Sequence, residues 1–370
     1  MKIICKAIAV TAGLLLAARL GAQPALKDVF EKKFLVGAAL NPTQFCESNS
    51  LEAGLVKRQF NTITPENVLK WEKIHPEPGL FDFTLADRYV EFGEKNHMFI
   101  IGHTLVWHSQ TPAWVFQDDQ GKPATREVLL ARMRDHILTV VGRYRGRIKG
   151  WDVVNEAVAE DGTLRQSPWL KIIGEDFLLK AYQFAHEADP EAELYYNDYS
   201  LENRAKRKGA LTLIKKLQTQ GVRIAAVGIQ GHYNLEWPSA SKLDATISAF
   251  AKLGVKVNIT ELDLDVLPHP GRNVAADVSL NYKSAAKLNP YRNGLPESAQ
   301  QEHTERYTKL FAIFLQHRNE VSRVTFWGVT DGNSWLNDWP VPGRTSYPLV
   351  FDRAGQPKPA FAAITALVHE

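Results

Sequence analysis

Two glutamates sit where a carboxylate is costly. Glu156 closes the core of the run GWDVVNEA (150–157), and Glu261 lies within KVNITELDLD (256–265). Both runs are rich in the β-branched residues of buried strands, and a charge there must be paired or put to chemical use. Two carboxylates facing across a cavity suit cleavage of a glycosidic bond: one protonates the leaving oxygen while the other attacks the anomeric carbon or activates water. Around them stand side chains fit for a sugar. Trp107, Trp327 and Trp335 offer flat apolar faces to the C–H surfaces of a ring, and Asn67, Lys70, Gln230 and the histidines can bond hydroxyls. A lone tryptophan is more often core. The concentration of these groups at corresponding ends of different runs is what points to a site.

The elements that must carry these residues alternate along the chain. Strand-like runs fall at 36–41, 62–67, 99–107, 150–157, 193–200, 226–233, 256–265 and 324–331. Helical spacing occupies the intervals near 84–95, 125–143, 174–188, 203–219, 239–253 and 298–318, more weakly 48–59, with a last apolar stretch at 360–368. In 125–143, Val128, Leu129, Met133, His136, Ile137 and Val140 fall on one face. Strands alternating with helices predict an α/β fold, a single-domain (β/α)8 TIM barrel. Nearly every run begins apolar and ends polar: Asn41, Glu66-Asn67, His103, Asn155-Glu156, Asn197-Asp198, Gln230 and His232, Glu261 and Asp263, Asp331. In a barrel those ends meet at one mouth, the face where such folds build their sites. Ordinary turns favour Gly, Pro, Asn, Asp and Ser, whereas these ends are rich in Glu, His, Gln and Trp.

Other chemistries find little support. No HExxH or paired CxxC appears, and His103 and His108, five residues apart, fall on opposite faces of a strand-like run, so no metal or other cofactor is expected. There is no GxSxG elbow, no Walker loop and no glycine-rich dinucleotide fingerprint. At the N-terminus, Lys2 and Lys6 precede an apolar run from Ala7 to Leu16, and Gly21-Ala22 close it with small residues. This reads as a signal peptide, residues 1–22, leaving a barrel of residues 23–370. The apolar run is far shorter than the roughly 20 residues of a spanning helix. Its removal takes Lys2, Lys6 and Arg19 and no acid, so the formal charge of +3 falls to zero and points to neither nucleic acid nor membrane. Cys5 leaves with it, and Cys46 remains alone, which excludes an internal disulfide and suggests a core-filling thiol.

The strings TPENVLKWE (64–72), GHTLVWHSQTPAW (102–114), GWDVVNEA (150–157), NDYSLE (197–202), GIQGHY (228–233), ITELD (259–263) and WGVTDGNSW (327–335) resemble, in order, glycoside hydrolase family 10, the xylanases. The resemblance runs from about residue 34 to 367. It implies that Glu156 is the general acid and then base, and Glu261 the nucleophile of a retaining double displacement that hydrolyses internal β-1,4-xylosidic bonds. It further implies that His232 links to the nucleophile and Asp263 holds His232. Asn155 would bond the sugar 2-hydroxyl. Lys70, His103, Trp107, Gln230, Trp327 and Trp335 would line the subsite of the sugar being cleaved, Glu66 and Asn67 would reach the next sugar, and Tyr199 would touch the leaving-group side. The expected partner is therefore a polysaccharide, xylan and its oligosaccharides, acted on by a monomer that is secreted or periplasmic.

Xylose lacks the hydroxymethyl arm of glucose, so a bulky Trp335 beside Gln230 and Lys70 would fill the space that arm needs. Residues 265–296 form a long connection that either shapes the leaving-group subsites or packs as an ornament of the rim. Three alternatives share these residues: a hydrolase of other β-1,4-glycans, a transglycosylase, and a non-catalytic sugar-binding barrel. The last predicts a lost glutamate or a broken His232–Asp263 pair, and neither is seen.

Overall fold

A computed structural model of the chain describes residues 24–269, 278 and 280–368. The expected signal peptide, residues 1–22, lies outside the described residues, as do 270–277 and 279 of the long connection. All eight predicted runs form strands. They are β1 (Leu35–Leu40), β2 (Thr62–Pro65), β3 (Phe99–Val106), β4 (Gly150–Asn155), β5 (Glu193–Asp198), β6 (Ala226–Ile229) with its short continuation β7 (His232–Asn234), β8 (Lys256–Asp265) and β9 (Val321–Phe326). Every pairing is parallel, and the ring closes through β1 with β9 and β6 with β8, giving a (β/α)8 barrel.

The sixth run is broken at Gln230-Gly231, and both its halves pair with β8. Gly231 has φ +85°, and a Cβ there would lie 3.1 Å from the Ile259 side chain, so the break needs glycine. The last strand starts earlier than expected and ends before Trp327, which frees residues 327–331 to turn over the mouth.

Helices fill the intervals between strands, among them Ser50–Gln59, Thr84–Lys95, Arg126–Arg143, Phe177–Ala188, Arg204–Thr219, Ala240–Ala251 and Glu297–Gln316, with Pro359–Ala366 last. Ser50–Gln59, the weakest in sequence, still buries Ala53, Leu55 and Val56 against the barrel. Of the stripe read on Arg126–Arg143, Leu129, Met133, His136, Ile137 and Val140 are buried, but Val128 is 41% exposed. It lies about 100° round the helix from Leu129, off the packed face. The main core is the apolar shell between strands and helices, where the Trp151 ring lies across Gly102. Inside the barrel, Ile101, Tyr195 and Ala226 pack near Arg323.

Cys46 does not fill the core. It is exposed just after the turn Pro42–Phe45, whose apolar contact is made by Phe45 instead. Among the described residues no helix is long and apolar enough to cross a membrane.

Candidate active site

Polar strand ends converge on a cavity of about 160 Å³ lined by Glu66, Asn67, Lys70, His103, Trp107, Gln110, Asn155, Glu156, Gln230, His232, Glu261, Val278, Trp327 and Trp335. Larger grooves lie between helices on the outside of the barrel, away from both glutamates. The convergence has a backbone cause. Three strands that deliver site residues have irregular ladders: β3 between His103 and Val106, the β4–β5 pairing between Asp152 and Val154, and the β8–β9 pairing between Ile259 and Leu262. Such slips re-aim side chains. They let neighbours in sequence serve one site: Asn155 with Glu156, and Thr260 with Glu261.

Glu156 follows β4 at φ +58°, in the left-handed region. Its Oε2 accepts from Trp107 Nε1 at 2.8 Å, and its Oε1 from Gln230 Nε2 at 3.0 Å and Asn155 Nδ2 at 3.2 Å. Burial raises its pKa, the donors from Gln230 and Trp107 oppose this, and the charge of Glu261 adds to the rise. Glu261 is treated oppositely. Burial again pushes upward, but the hydrogen bond from His232, with the electrostatic influence of His103 and His232 and the donor from Asn197, outweighs it and holds the carboxyl below the ordinary range.

His232 is the cation behind this difference. Its ring donates from Nε2 to Glu261 Oε2 at 3.1 Å and from Nδ1 to Asp263 Oδ1 at 3.0 Å. Burial disfavours its charge, yet Asp263 and Glu261 together raise its pKa to about 10. Asp263 is fixed in turn by Trp335 Nε1, which donates to Oδ2 at 2.6 Å.

Asn197, a polar strand end that had been given no role, ties the halves together. Its Nδ2 donates to Asn155 Oδ1 at 2.9 Å and to Glu261 Oε1 at 2.7 Å, while Thr260 Oγ1 fixes its own carbonyl at 2.7 Å. Two further residues were also missed. Gln110 accepts from Lys70 Nζ at 2.8 Å, and Asp152 takes a hydrogen bond from His103 Nδ1 at 2.9 Å. Both lay within strings that carry the resemblance, Asp152 four residues before Glu156, but neither ends a strand-like run, which was the signal used.

Lys70 also bonds Asn67 at 3.1 Å and lies 4.9 Å from the centre of the Trp107 ring. Burial lowers its pKa against the pull of Glu261, Glu66 and Glu156. Burial raises Glu66 to about 7, opposed by Lys70.

Thus Glu66, Asn67, Lys70, His103, Trp107, Asn155, Glu156, Gln230, His232, Glu261, Trp327 and Trp335 line one cavity, with Asp263 directly behind it. Tyr199 does not line it. It is buried, with its ring beneath Lys206 and its hydroxyl accepting from Arg165. His103 and His108 are not held apart on opposite faces: β3 ends at Val106, strand alternation ends with it, and His108 Nε2 lies 4.0 Å from Glu156 Oε2. Among the described residues no group of His, Cys, Asp and Glu is arranged to hold a metal ion.

Known proteins resemble this chain over nearly its whole length. The family model described as glycosyl hydrolase family 10 matches residues 25–367. An endo-1,4-beta-xylanase A of Xylanibacter ruminicola is 49% identical over 345 residues, which covers 93% of this chain and 94% of that protein. A solved family 10 endoxylanase from a sugarcane soil metagenome superposes with a TM-score of 0.90 at 46% identity, covering 93% of this chain and all of that one. A solved variant in complex with xylotriose gives a TM-score of 0.83 at 34% identity, covering 93% of this chain and 99% of that one. Barrel, converging carboxylates and whole-chain similarity lead to one conclusion: the chain belongs to glycosyl hydrolase family 10 and is a glycoside hydrolase.

Proposed function

We propose that this enzyme is a retaining endo-β-1,4-xylanase working by double displacement. The observation that carries the reading is the opposite treatment of two buried carboxylates: Glu156 is pushed toward its protonated form, and Glu261 is kept ionised by His232. That is the division of labour an acid and a nucleophile require. In the first step a Glu261 oxygen attacks the anomeric carbon, the glycosidic C–O bond breaks, and Glu156 gives its proton to the departing oxygen. In the second, water attacks the same carbon, Glu156 takes the water's proton, and the ester bond to Glu261 breaks, releasing sugar with its configuration retained.

Asn155, beside both carboxylates, would bond the 2-hydroxyl as positive charge develops on the ring. Lys70, His103, Gln230 and the tryptophans would hold the sugar being cleaved, and Glu66 and Asn67 the one beyond. Xylan as substrate is supported by the printed activity of the Xylanibacter relative and by the xylotriose held by the structural relative. On this reading residues 1–22 are cleaved on export, and the enzyme acts outside the cytoplasm as a monomer.

The test is reducing-sugar release from xylan, cellulose and β-mannan side by side, with Glu261→Gln as control, and NMR of the first anomer formed. Release from xylan alone as the β-anomer, abolished in Glu261→Gln, is expected. First-formed α-anomer would overturn retention, and release from cellulose or mannan instead of xylan would overturn the substrate.

A further inference from the structure

The acid's carboxyl is held by Trp107, Gln230 and Asn155, but what holds its backbone is a separate matter. Glu156 has a left-handed φ of +58°, a conformation that side-chain-bearing residues keep only when their surroundings enforce it. Two groups grip its peptide. Its N–H donates to Asn197 O at 2.9 Å, and its carbonyl accepts from Arg165 Nε at 2.8 Å.

Arg165 reaches that carbonyl because residues 157–165 double back. Val158 and Leu164 form an antiparallel bridge, Ala159 N–H donates to Thr163 O at 2.8 Å, and Arg165 N–H donates to Ala157 O at 2.8 Å. The tip is docked backbone to backbone on helix Arg204–Thr219. Gly162 has φ +87°, a Cβ on it would lie 2.4 Å from Ala205 O, and one on Gly209 would lie 2.2 Å from Gly162 O.

The far end of the guanidinium is fixed as well. Arg165 Nη2 donates to Tyr199 Oη at 2.8 Å, and the Tyr199 ring lies 3.3 Å beneath Lys206 Nζ. Lys206 pairs with Asp198 at 3.0 Å, both side chains fully buried. Asp198 also accepts from the Tyr199 and Val158 backbones, at 2.9 and 3.4 Å.

We propose that Arg165 is a positioning residue for the catalytic acid: the 157–165 hairpin and the Tyr199–Lys206–Asp198 stack beneath it exist to clamp the left-handed backbone of Glu156. This rests on Glu156 being the acid. It gives Tyr199 a structural role alongside the leaving-group contact expected of it.

The test compares two aryl xylobiosides, one releasing dinitrophenolate, which needs no proton, and one releasing phenol, which does. Arg165→Met is assayed beside Glu156→Ala. A misplaced acid costs on the order of tenfold to a hundredfold where protonation matters and little where it does not. Arg165→Met is therefore expected to lose that much kcat/KM on the phenyl substrate and less than about threefold on the dinitrophenyl one. The charged or titratable groups facing Glu156 are Glu261, Lys70, Lys206, Asp198, Arg165, Tyr199 and His108, so removing the Arg165 cation also moves the alkaline limb of the pH profile upward.

Should Arg165→Met not fold, Tyr199→Phe, which keeps the ring under Lys206 and loses only the hydroxyl, is expected to show the same pattern at smaller size. Equal losses on both substrates with the limb in place, while Glu156→Ala still discriminates between them, would overturn the clamp. Failure of Glu156→Ala to discriminate would overturn the acid assignment and the clamp with it.

Discussion

Replacing His232 by alanine removes the cation that separates the two carboxylates. In the native site its Nε2–H bonds Glu261 Oε2 at 3.1 Å while Asn197 holds Oε1 at 2.7 Å, so the variant keeps one of two donors and the carboxylate's aim is partly preserved. A hydrogen bond between charged groups contributes about 1.5–3 kcal/mol. If the nucleophile loses that in the transition state, kcat/KM falls by about 10- to 150-fold.

The sign of the pH effect follows from the same balance. Burial is the largest influence on Glu261 and raises its pKa, and His232 leads the groups that oppose it. Without His232 the pKa climbs, and the acid limb of kcat/KM, which reports the free nucleophile, moves to higher pH. The assay is kcat/KM against pH on a dinitrophenyl xylobioside, whose first step needs no acid and so isolates Glu261. A loss below about threefold with an unmoved acid limb would refute the claim that His232 sets the state of the nucleophile.

Trp335 has two functions that substitution can separate. Trp335→Phe keeps most of the ring but loses the donor to Asp263, so it is expected to slow xylo-oligosaccharide turnover without changing activity on cello-oligosaccharides relative to xylo-oligosaccharides; Trp335→Ala is expected to raise that cello-to-xylo ratio as well, and an unchanged ratio would remove the crowding explanation. His136 is fully buried, faces His75 with 3.3 Å between their Nδ1 atoms, and is held neutral by burial, then by the charge of His75. Its folded pKa is depressed, so the unfolded chain binds the extra proton, and stability is expected to fall as pH drops below about 6.5, by up to about 1.4 kcal/mol per unit. Urea unfolding at pH 7 and 5 checks this, with His136→Gln expected to flatten the slope. Gly102→Ala would place a methyl 2.1 Å from the buried Trp151 ring and is expected to cost about 1–3 kcal/mol in the same assay.

Much of this enzyme was legible in its residues taken singly. A carboxylate in a β-branched run is costly enough to advertise itself, and this marked Glu156 and Glu261. The gathering of polar strand ends at one mouth follows from parallel strands with alternating helices, which by itself places Asn67, His103, Gln230, His232 and Asp263 within or beside the site. Even the family was readable, because its strings lie at those same ends.

The tertiary structure decided the rest. Local periodicity assumes an unbroken ladder, and here the ladder slips where chemistry is done. Alternation predicted that His103 and His108 diverge, but β3 ends between them and His108 comes to Glu156. No local pattern announces that Asn197 bridges Asn155 to Glu261, or that Arg165 doubles back onto Glu156, since each contact joins elements brought together only by barrel closure or by the hairpin. Cys46 and Val128, at the end of one helix and on another, depart for a different reason: an apolar residue is drawn inward only if its side of the element faces the core, and that facing is set by packing. Residue type determined which groups could do the chemistry. Long-range pairing and its interruptions determined which of them meet.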